Sequence, residues 1–274
     1  MLREYPRIFA ITGSADGAAR VCRKLVSCGM EQVKVSVGQR LTYEDEKIWQ
    51  GTAAELTELE TDPLSVMLLE NPRAKDHIVT HGIPDGEFIR AKVPMTKEEV
   101  RSVSLSKLRL TKNAVVYDIG AGTGSVSVEM ARMASEGVVY AIERKEEAAA
   151  LIEENKRKFA CDNLTVIRGL APECLKDLER PTHAFIGGSA GNMKEILETL
   201  LGKNPHIRIV MNAIALETTG EMLRLAKELD LADVDIVTVS AARAKELGNY
   251  HLMMGQNPVT IVSATGRNRT VDRL

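Results

Sequence analysis

Two hydrophobic rhythms alternate along the chain. Short apolar runs bounded by glycine, proline or acids read as strands, and longer stretches whose apolar positions return every three or four residues read as amphipathic helices. Near the start this gives strands at 7–12, 32–37 and 64–69 and a helix over 14–28, a small α/β unit. Periodicity then fades between 70 and 90, where Asn71-Pro72, His81-Gly82 and Pro84-Asp85-Gly86 gather turn formers in a linker. From Thr96 onward the alternation is regular, with helices over 97–108, 125–134, 145–159, 193–201 and 217–228. Strands at 114–119, 138–142, 164–168, 184–186 and 208–211 lie among them, and late strands follow at 233–240 and 259–264. Such alternation builds a mainly parallel sheet with helices on both faces. Thr96 with Glu99 three residues later has capping-box spacing for the first of these helices. The expected organisation is a lobe over 1–75, a linker and entry loop over 76–95, a main domain over 96–266 and a tail over 267–274.

Composition narrows the class. At 274 residues, 44% hydrophobic and 27% charged, the chain has material for a sizeable core. A net charge of -2 gives no global pull toward nucleic acid or an anionic membrane. Four Phe, five Tyr and one Trp provide poorly for stacking on bases. No stretch is long and apolar enough for a membrane span, and the first residues lack a signal-peptide core, so a cytoplasmic protein is expected. Cys22, Cys28, Cys161 and Cys174 show no metal-ligand spacing and read as buried thiols in a reducing compartment; no metal site is expected.

The chemistry concentrates at Val115-Val116-Tyr117-Asp118-Ile119-Gly120-Ala121-Gly122-Thr123-Gly124-Ser125, an apolar strand running through three glycines into a helix. Glycine permits left-handed dihedrals and close approach of a ligand to the backbone. A dinucleotide site wants G-x-G-x-x-G, with the helix N-terminus on the pyrophosphate. Here the order is G-x-G-x-G behind Asp118, which resembles motif I of S-adenosylmethionine-dependent methyltransferases. The next strand ends at Glu143, where a carboxylate can accept both ribose hydroxyls. Glu143 would serve a nicotinamide ribose equally, and an acid at a helix N-terminus is favourable by itself. After the fourth strand the chain reads Ile186-Gly187-Gly188-Ser189-Ala190-Gly191, without the aromatic platform of a nucleotide-base methylase.

Several segments, in order over 82–265, resemble the decarboxylating C15-methyltransferase domain of the precorrin-6Y C5,15-methyltransferases of cobalamin biosynthesis. They are Gly82-Ile83-Pro84-Asp85-Gly86-Glu87-Phe88, Pro94-Met95-Thr96 with Glu99-Val100-Arg101, the glycine loop, and Gly169 with Ala171-Pro172-Glu173. Gly187-Gly188-Ser189, Asn212-Ala213-Ile214 with Leu216-Glu217-Thr218, and Met253-Met254 before Asn257-Pro258-Val259 complete the set. Leu170 departs from it, standing where many relatives place an acid. Residues 6–72, notably Val37-Gly38-Gln39-Arg40-Leu41-Thr42, resemble the carboxyl-terminal lobe of the companion C5-methyltransferase. That enzyme's amino-terminal lobe has no counterpart in this sequence, so C5 methylation is not expected from this chain unaided.

The resemblance implies a Rossmann-like class I S-adenosylmethionine-dependent methyltransferase fold, α/β with a seven-stranded, mostly parallel sheet, and a small N-terminal α/β lobe. It implies S-adenosylmethionine as cofactor, a (cobalt-)precorrin tetrapyrrole as substrate and a homotetramer. Gly120, Ala121, Gly122, Thr123 and Gly124 would cradle the methionine part, Glu143 the ribose, Ala171 the adenine, and Thr96 would close the site. Asp118 would order the loop or reach the amino group through water. For the substrate's carboxylates the candidates are Arg90, Lys92, Arg243, Lys245 and His251, each also readable as a solvated surface group. Ser189 and Asn192 follow the fourth strand, where a helix N-cap role is an equal alternative. No general acid or base is named. Two further readings stay open: a nicotinamide oxidoreductase, and a non-catalytic subunit that docks a separate C5-methyltransferase lobe.

Overall fold

The computed structural model describes Leu2, residues 5–74 and residues 80–267. It divides into two units, Met1–Thr80 and His81–Leu274. The first unit runs β1 (Arg7–Thr12), α1 (Gly17–Ser27), β2 (Lys34–Gln39), β3 (Lys47–Thr52) and β4 (Ser65–Glu70). Its four strands lie in the order β1-β4-β2-β3, antiparallel throughout. Strand alternation sends Val35, Val37, Met67 and Leu69 to one face, where they pack with Ala18 and Cys22 of α1. The opposite face leaves Phe9, Ile11 and Ile48 exposed. β3 was not anticipated, because this edge strand is barely buried and so lacks the apolar run that marks a core strand.

The second unit continues with α2 (Glu98–Leu108), β5 (Val115–Ile119), α3 (Ser125–Met133), β6 (Val138–Glu143), α4 (Glu146–Phe159), β7 (Leu164–Arg168) and β8 (His183–Ile186). Then come α5 (Met193–Lys203), β9 (Arg208–Ala213), α6 (Leu216–Glu228), β10 (Ala232–Val239), β11 (Ala242–Leu247), β12 (Tyr250–Gly255) and β13 (Val259–Thr265). Seven strands form one sheet ordered β10-β13-β9-β8-β5-β6-β7. The five from β9 to β7 are parallel, and β13 and β10 close the edge antiparallel. This is the expected seven-stranded, mostly parallel Rossmann-like sheet.

Alternating strand residues feed two cores. Val116, Val139, Ala141, Phe185 and Val210 pack with Leu105 and Leu108 of α2, Val128 and Met130 of α3 and Ile152 of α4. Tyr117, Ile119, Ile142, Ala184, Ile186 and Met211 pack on the other face with Ile196, Leu197 and Leu200 of α5 and Met222 and Leu225 of α6. A sheet covered on both faces reads as continuous apolar runs, which is why β5, β8 and β9 were legible. The chain leaves β5 toward β6 and β7 on one side and later returns to β8 and β9 on the other, so the order reverses between β5 and β8. Ligands of open α/β sheets bind at such a switch point, beyond the carboxyl ends of the strands.

Two expectations change. The capping box at Thr96 does not form: Lys97 is the N-cap of α2 and makes no side-chain cap bond, while Asp85 Oδ1 accepts the Glu98 amide at 3.0 Å. Glu99 is drawn outward instead, to Arg243. The hairpin of β11 and β12 was also missed, since every residue in both strands is exposed and no apolar alternation marks it. Its Gly248-Asn249 turn, with Gly248 at φ +60°, is the signal that could have found it.

Candidate active site at the switch point

A cavity of about 1300 Å³ opens at the carboxyl ends of the parallel strands. Its floor is the turn after β5, which must be glycine-rich for steric reasons. Gly120 and Gly122 have φ of +75° and +58°. A Cβ on Gly120 would lie 2.6 Å from the Gly188 carbonyl oxygen, and one on Gly122 would lie 2.9 Å from that of Pro94. The glycine loop is thus pressed between the loop after β8 and the segment leading into α2.

Glu143, at the end of β6, turns back over this loop. Its Oε2 accepts the Gly122 amide at 3.0 Å and its Oε1 the Lys145 amide at 3.0 Å. The carboxylate therefore serves the N-terminal turn of α4 and lines the cavity as well. Asp118 lies beneath, wholly buried; Ser127 donates to its Oδ2, while its Oδ1 has no partner. Burial, opposed by the Ser127 bond and reinforced by the nearby Glu143 charge, pushes its carboxyl up to about 7. Thr123 is also buried, and its hydroxyl is likewise without a partner.

Asn155 of α4 was not foreseen. Fully buried, it donates to the carbonyls of Ile89 (2.8 Å) and Thr123 (2.9 Å) and accepts the Ile89 amide (2.8 Å), tying the entry segment to the glycine loop. An asparagine inside an amphipathic helix gives no sign of such a partner in the sequence pattern.

The expected cofactor residues Thr96, Gly120, Ala121, Gly122, Glu143 and Ala171 line the cavity. Asp118, Thr123 and Gly124 support it from below, and a Cβ on Gly124 would meet Ile152 of α4 at 2.9 Å. Of the substrate candidates, Lys92 and Ser189 line the cavity. Asn192 is the N-cap residue of α5 but makes no side-chain cap bond, and its side chain instead donates to the Ala171 carbonyl at 3.1 Å, bracing the wall. Arg90 is exposed and is not part of the lining. Arg243 is held by Glu98 and Glu99 at 2.8 and 2.7 Å, which binds its charge to the start of α2. Lys245 and His251 stand on the exposed hairpin, with His251 Nε2 3.5 Å from Glu246. The structure adds Lys97, Arg144 and Lys145 as cations in the lining, and Asn212, Gln256 and Asn257 as neutral amides. Arg144 and Lys145 directly follow Glu143 at a strand end, a position from which the sequence could have nominated them.

The described lining includes no histidine, cysteine, aspartate or aromatic side chain. Its chemistry is that of holding and shielding, with no nucleophile and base in sequence. One drug-sized ligand fills a pocket of about 300–1,000 Å³. The cavity exceeds that range.

Comparison with known proteins agrees in family and fold. Residues 87–266 match the model of the precorrin methyltransferase domain. A "Probable cobalt-precorrin-6B C(15)-methyltransferase (decarboxylating)" of Pyrobaculum calidifontis is 42% identical over 188 residues, covering 68% of this chain and 96% of the relative. The crystal structure of a precorrin-6Y C5,15-methyltransferase from Geobacter metallireducens superposes with a TM-score of 0.66 at 37% identity, covering 70% of this chain and all of that one. At 16% identity, an S-adenosylmethionine-dependent O-methyltransferase of Thermotoga maritima shares the fold alone, with a TM-score of 0.57 over 86% of this chain and 93% of its own.

Proposed function

Because this chain belongs to the precorrin methyltransferase domain family, we propose that it uses S-adenosylmethionine to methylate C15 of a (cobalt-)precorrin tetrapyrrole, with decarboxylation of an acetate, in cobalamin biosynthesis. The observation that carries this reading is the single cavity in which the glycine loop and Glu143 face the Gly187–Gly191 loop across the switch point. Family membership sets aside a nicotinamide oxidoreductase.

The site fits the cofactor on its own geometry. The glycine loop can press against the Gly188 and Pro94 carbonyls, and so form the floor, only because neither Gly120 nor Gly122 carries a Cβ. Glu143 presents acceptor oxygens toward a ribose, while Ile119, Ile142, Ala148 and Leu151 supply apolar walls. When bound, S-adenosylmethionine supplies a methyl group on a strongly electrophilic sulfonium. The work left to the protein is alignment and exclusion of water, which can carry most of the rate. Gly120, Gly122 and Glu143 fix the cofactor half, and Thr96 lies in the wall beside them. Lys92, Arg144 and Lys145 provide cations for substrate carboxylates, and Ser189 and Asn212 lie where the macrocycle enters. Loss of carbon dioxide follows from electron withdrawal into the macrocycle, with these side chains orienting the acetate.

The test is incubation with a decarboxylation-competent precorrin and labelled S-adenosylmethionine, followed by mass analysis. One methyl gained and one carbon dioxide lost is expected, with Gly122→Val reducing turnover at least about 100-fold; a product of unchanged mass overturns the reading. We assign residues 1–75 to the carboxyl-terminal lobe of a C5-methyltransferase, supported by the Val37–Thr42 motif spanning the end of β2 and the following turn. We place the protein in the cytoplasm; among the described residues no helix is long and apolar enough to cross a membrane. We also propose a homotetramer, supported by the hairpin, on one face of which Leu247, Tyr250, Leu252 and Met254 are exposed. Light scattering that returns a monomer overturns this assembly.

A further inference from the structure

Arg101, in the first turn of α2, is a charged side chain with no exposed surface. Its guanidinium donates to four acceptors at once. Nε donates to Glu129 Oε1 of α3 at 2.5 Å, and Nη1 donates to Asp85 Oδ1 at 3.2 Å and to the Thr96 carbonyl at 2.6 Å. Nη2 donates to the Ile83 carbonyl, and the ring of Phe88 lies 4.8 Å from the guanidinium carbon. Glu129 completes the knot by accepting the amides of Gly82 (2.6 Å) and Ile83 (3.1 Å).

A helix in this place has no need of a buried charge for packing. Burying an ion pair gains little over an apolar core, whereas a planar fork fixes its acceptors in direction as well as distance. Position is therefore what this arginine contributes. The acceptor that bears on the site is the Thr96 carbonyl, at the end of the segment 91–96 that forms one wall of the cavity. The same segment sets the Pro94 carbonyl against Gly122.

We propose that Arg101 is a positioning residue that pins the wall formed by residues 91–96 against the glycine loop, so that the cofactor site is assembled before its ligand arrives. This inference rests on the methyltransferase reading of the cavity. A preformed wall spares binding the cost of ordering it. Arg101→Lys keeps the charge but replaces the fork with a point donor, which cannot hold Glu129, Ile83 and Thr96 in one plane.

Full-length Arg101→Lys is compared with wild type and with Asn163→Ala as a stability control. Asn163 donates to the carbonyls of Ala131 (2.9 Å) and Ala134 (2.7 Å) at the end of α3 and is not part of the cavity lining. The readouts are S-adenosylhomocysteine affinity by calorimetry, amide hydrogen exchange of residues 91–97 in the ligand-free chain, and Tm. Arg101→Lys is expected to weaken binding at least tenfold and to speed exchange across 91–97. Asn163→Ala is expected to lower Tm while leaving both other readouts at wild-type values. Binding by Arg101→Lys within twofold of wild type, or an equal loss in Asn163→Ala, overturns the inference. If Arg101→Lys does not fold, Asp85→Asn takes its place, with at least threefold weaker binding and faster exchange expected and wild-type values overturning the inference. A wild-type chain that binds no S-adenosylhomocysteine instead refutes the reading of the site, and the exchange rates still decide whether Arg101 holds the wall.

Discussion

In residues 5–74 four antiparallel strands are covered by one helix on one face, whereas the central strands of residues 81–267 run parallel with helices on both faces. The contrast has a direct chemical consequence. Parallel strands joined by helical crossovers bring all their carboxyl ends, and the loops that follow them, to one edge. Reversal of strand order then opens a crevice among those loops, where Gly120, Glu143, Ala171 and Gly188 meet. Antiparallel pairing sends successive strand ends to opposite edges, so β1, β2, β3 and β4 gather no such set of loops. Both units solve the problem of a core, and the order of strands decides which also makes a site.

The sharpest test of that contrast uses the same local interaction in each unit. Glu143 latches the loop after β5 by accepting the Gly122 amide at 3.0 Å, and Glu55 latches the end of β3 by accepting the Thr52 amide at 2.7 Å. Glu143→Ala leaves the Gly122 and Lys145 amides without their acceptor and removes the residue proposed to hold the ribose. At about 1.5–3 kcal/mol for a hydrogen bond to a charged group, loss of the ribose contact should lower S-adenosylhomocysteine affinity by about 100-fold. Glu55→Ala should leave that affinity within twofold. Calorimetry on both variants checks this, and a comparable loss in Glu55→Ala would show that the small unit shares in the site.

A smaller effect sets the buried acid of β5 against pH. The folded state raises the Asp118 carboxyl from 3.8 to about 7, so folding favours its protonated form. The stability linked to that proton is fully present below 3.8 and is lost as pH rises through about 7. Asp118→Asn has no such proton to lose. Its Tm relative to wild type should therefore rise between pH 5.5 and pH 8, by at least about 3 °C if the linkage amounts to about 1 kcal/mol in a domain of this size. A constant difference across that range would mean that Asp118 stays ionised throughout.

What the sequence made legible follows the same division. The central strands announced themselves as apolar runs, and the glycine loop carried its constraint in residue type, since nothing else fits at Gly120 or Gly122. Interactions made across long separations left no local trace. Asp85 capping α2 from thirteen residues upstream displaced the expected Thr96 cap. Arg101 stands in the sequence only as part of the Glu99-Val100-Arg101 segment, and nothing local to it announces that it is fully buried. Arg243 looked free to meet a carboxylate and is held by Glu98 and Glu99, 145 and 144 positions away. An alternating pattern reports burial of apolar groups; it is silent on which polar group a fold brings to which.

The smallest expected effect concerns the whole first unit. The Pyrobaculum calidifontis relative is matched over 96% of its length by 68% of this chain, and the family match begins at residue 87. The Geobacter metallireducens structure is likewise matched over its whole length by 70% of this chain. The second unit also has its own two cores, with every residue lining the cavity drawn from within it. A chain beginning at Thr80 should therefore fold and bind S-adenosylhomocysteine within twofold of the full-length protein, with mass analysis giving the same product. On the proposed reading, removal of the lobe takes away none of the described residues that line the cavity. A loss of tenfold or more would mean that the antiparallel lobe completes the site of the parallel one, and the separation drawn from their sheets would have to be abandoned.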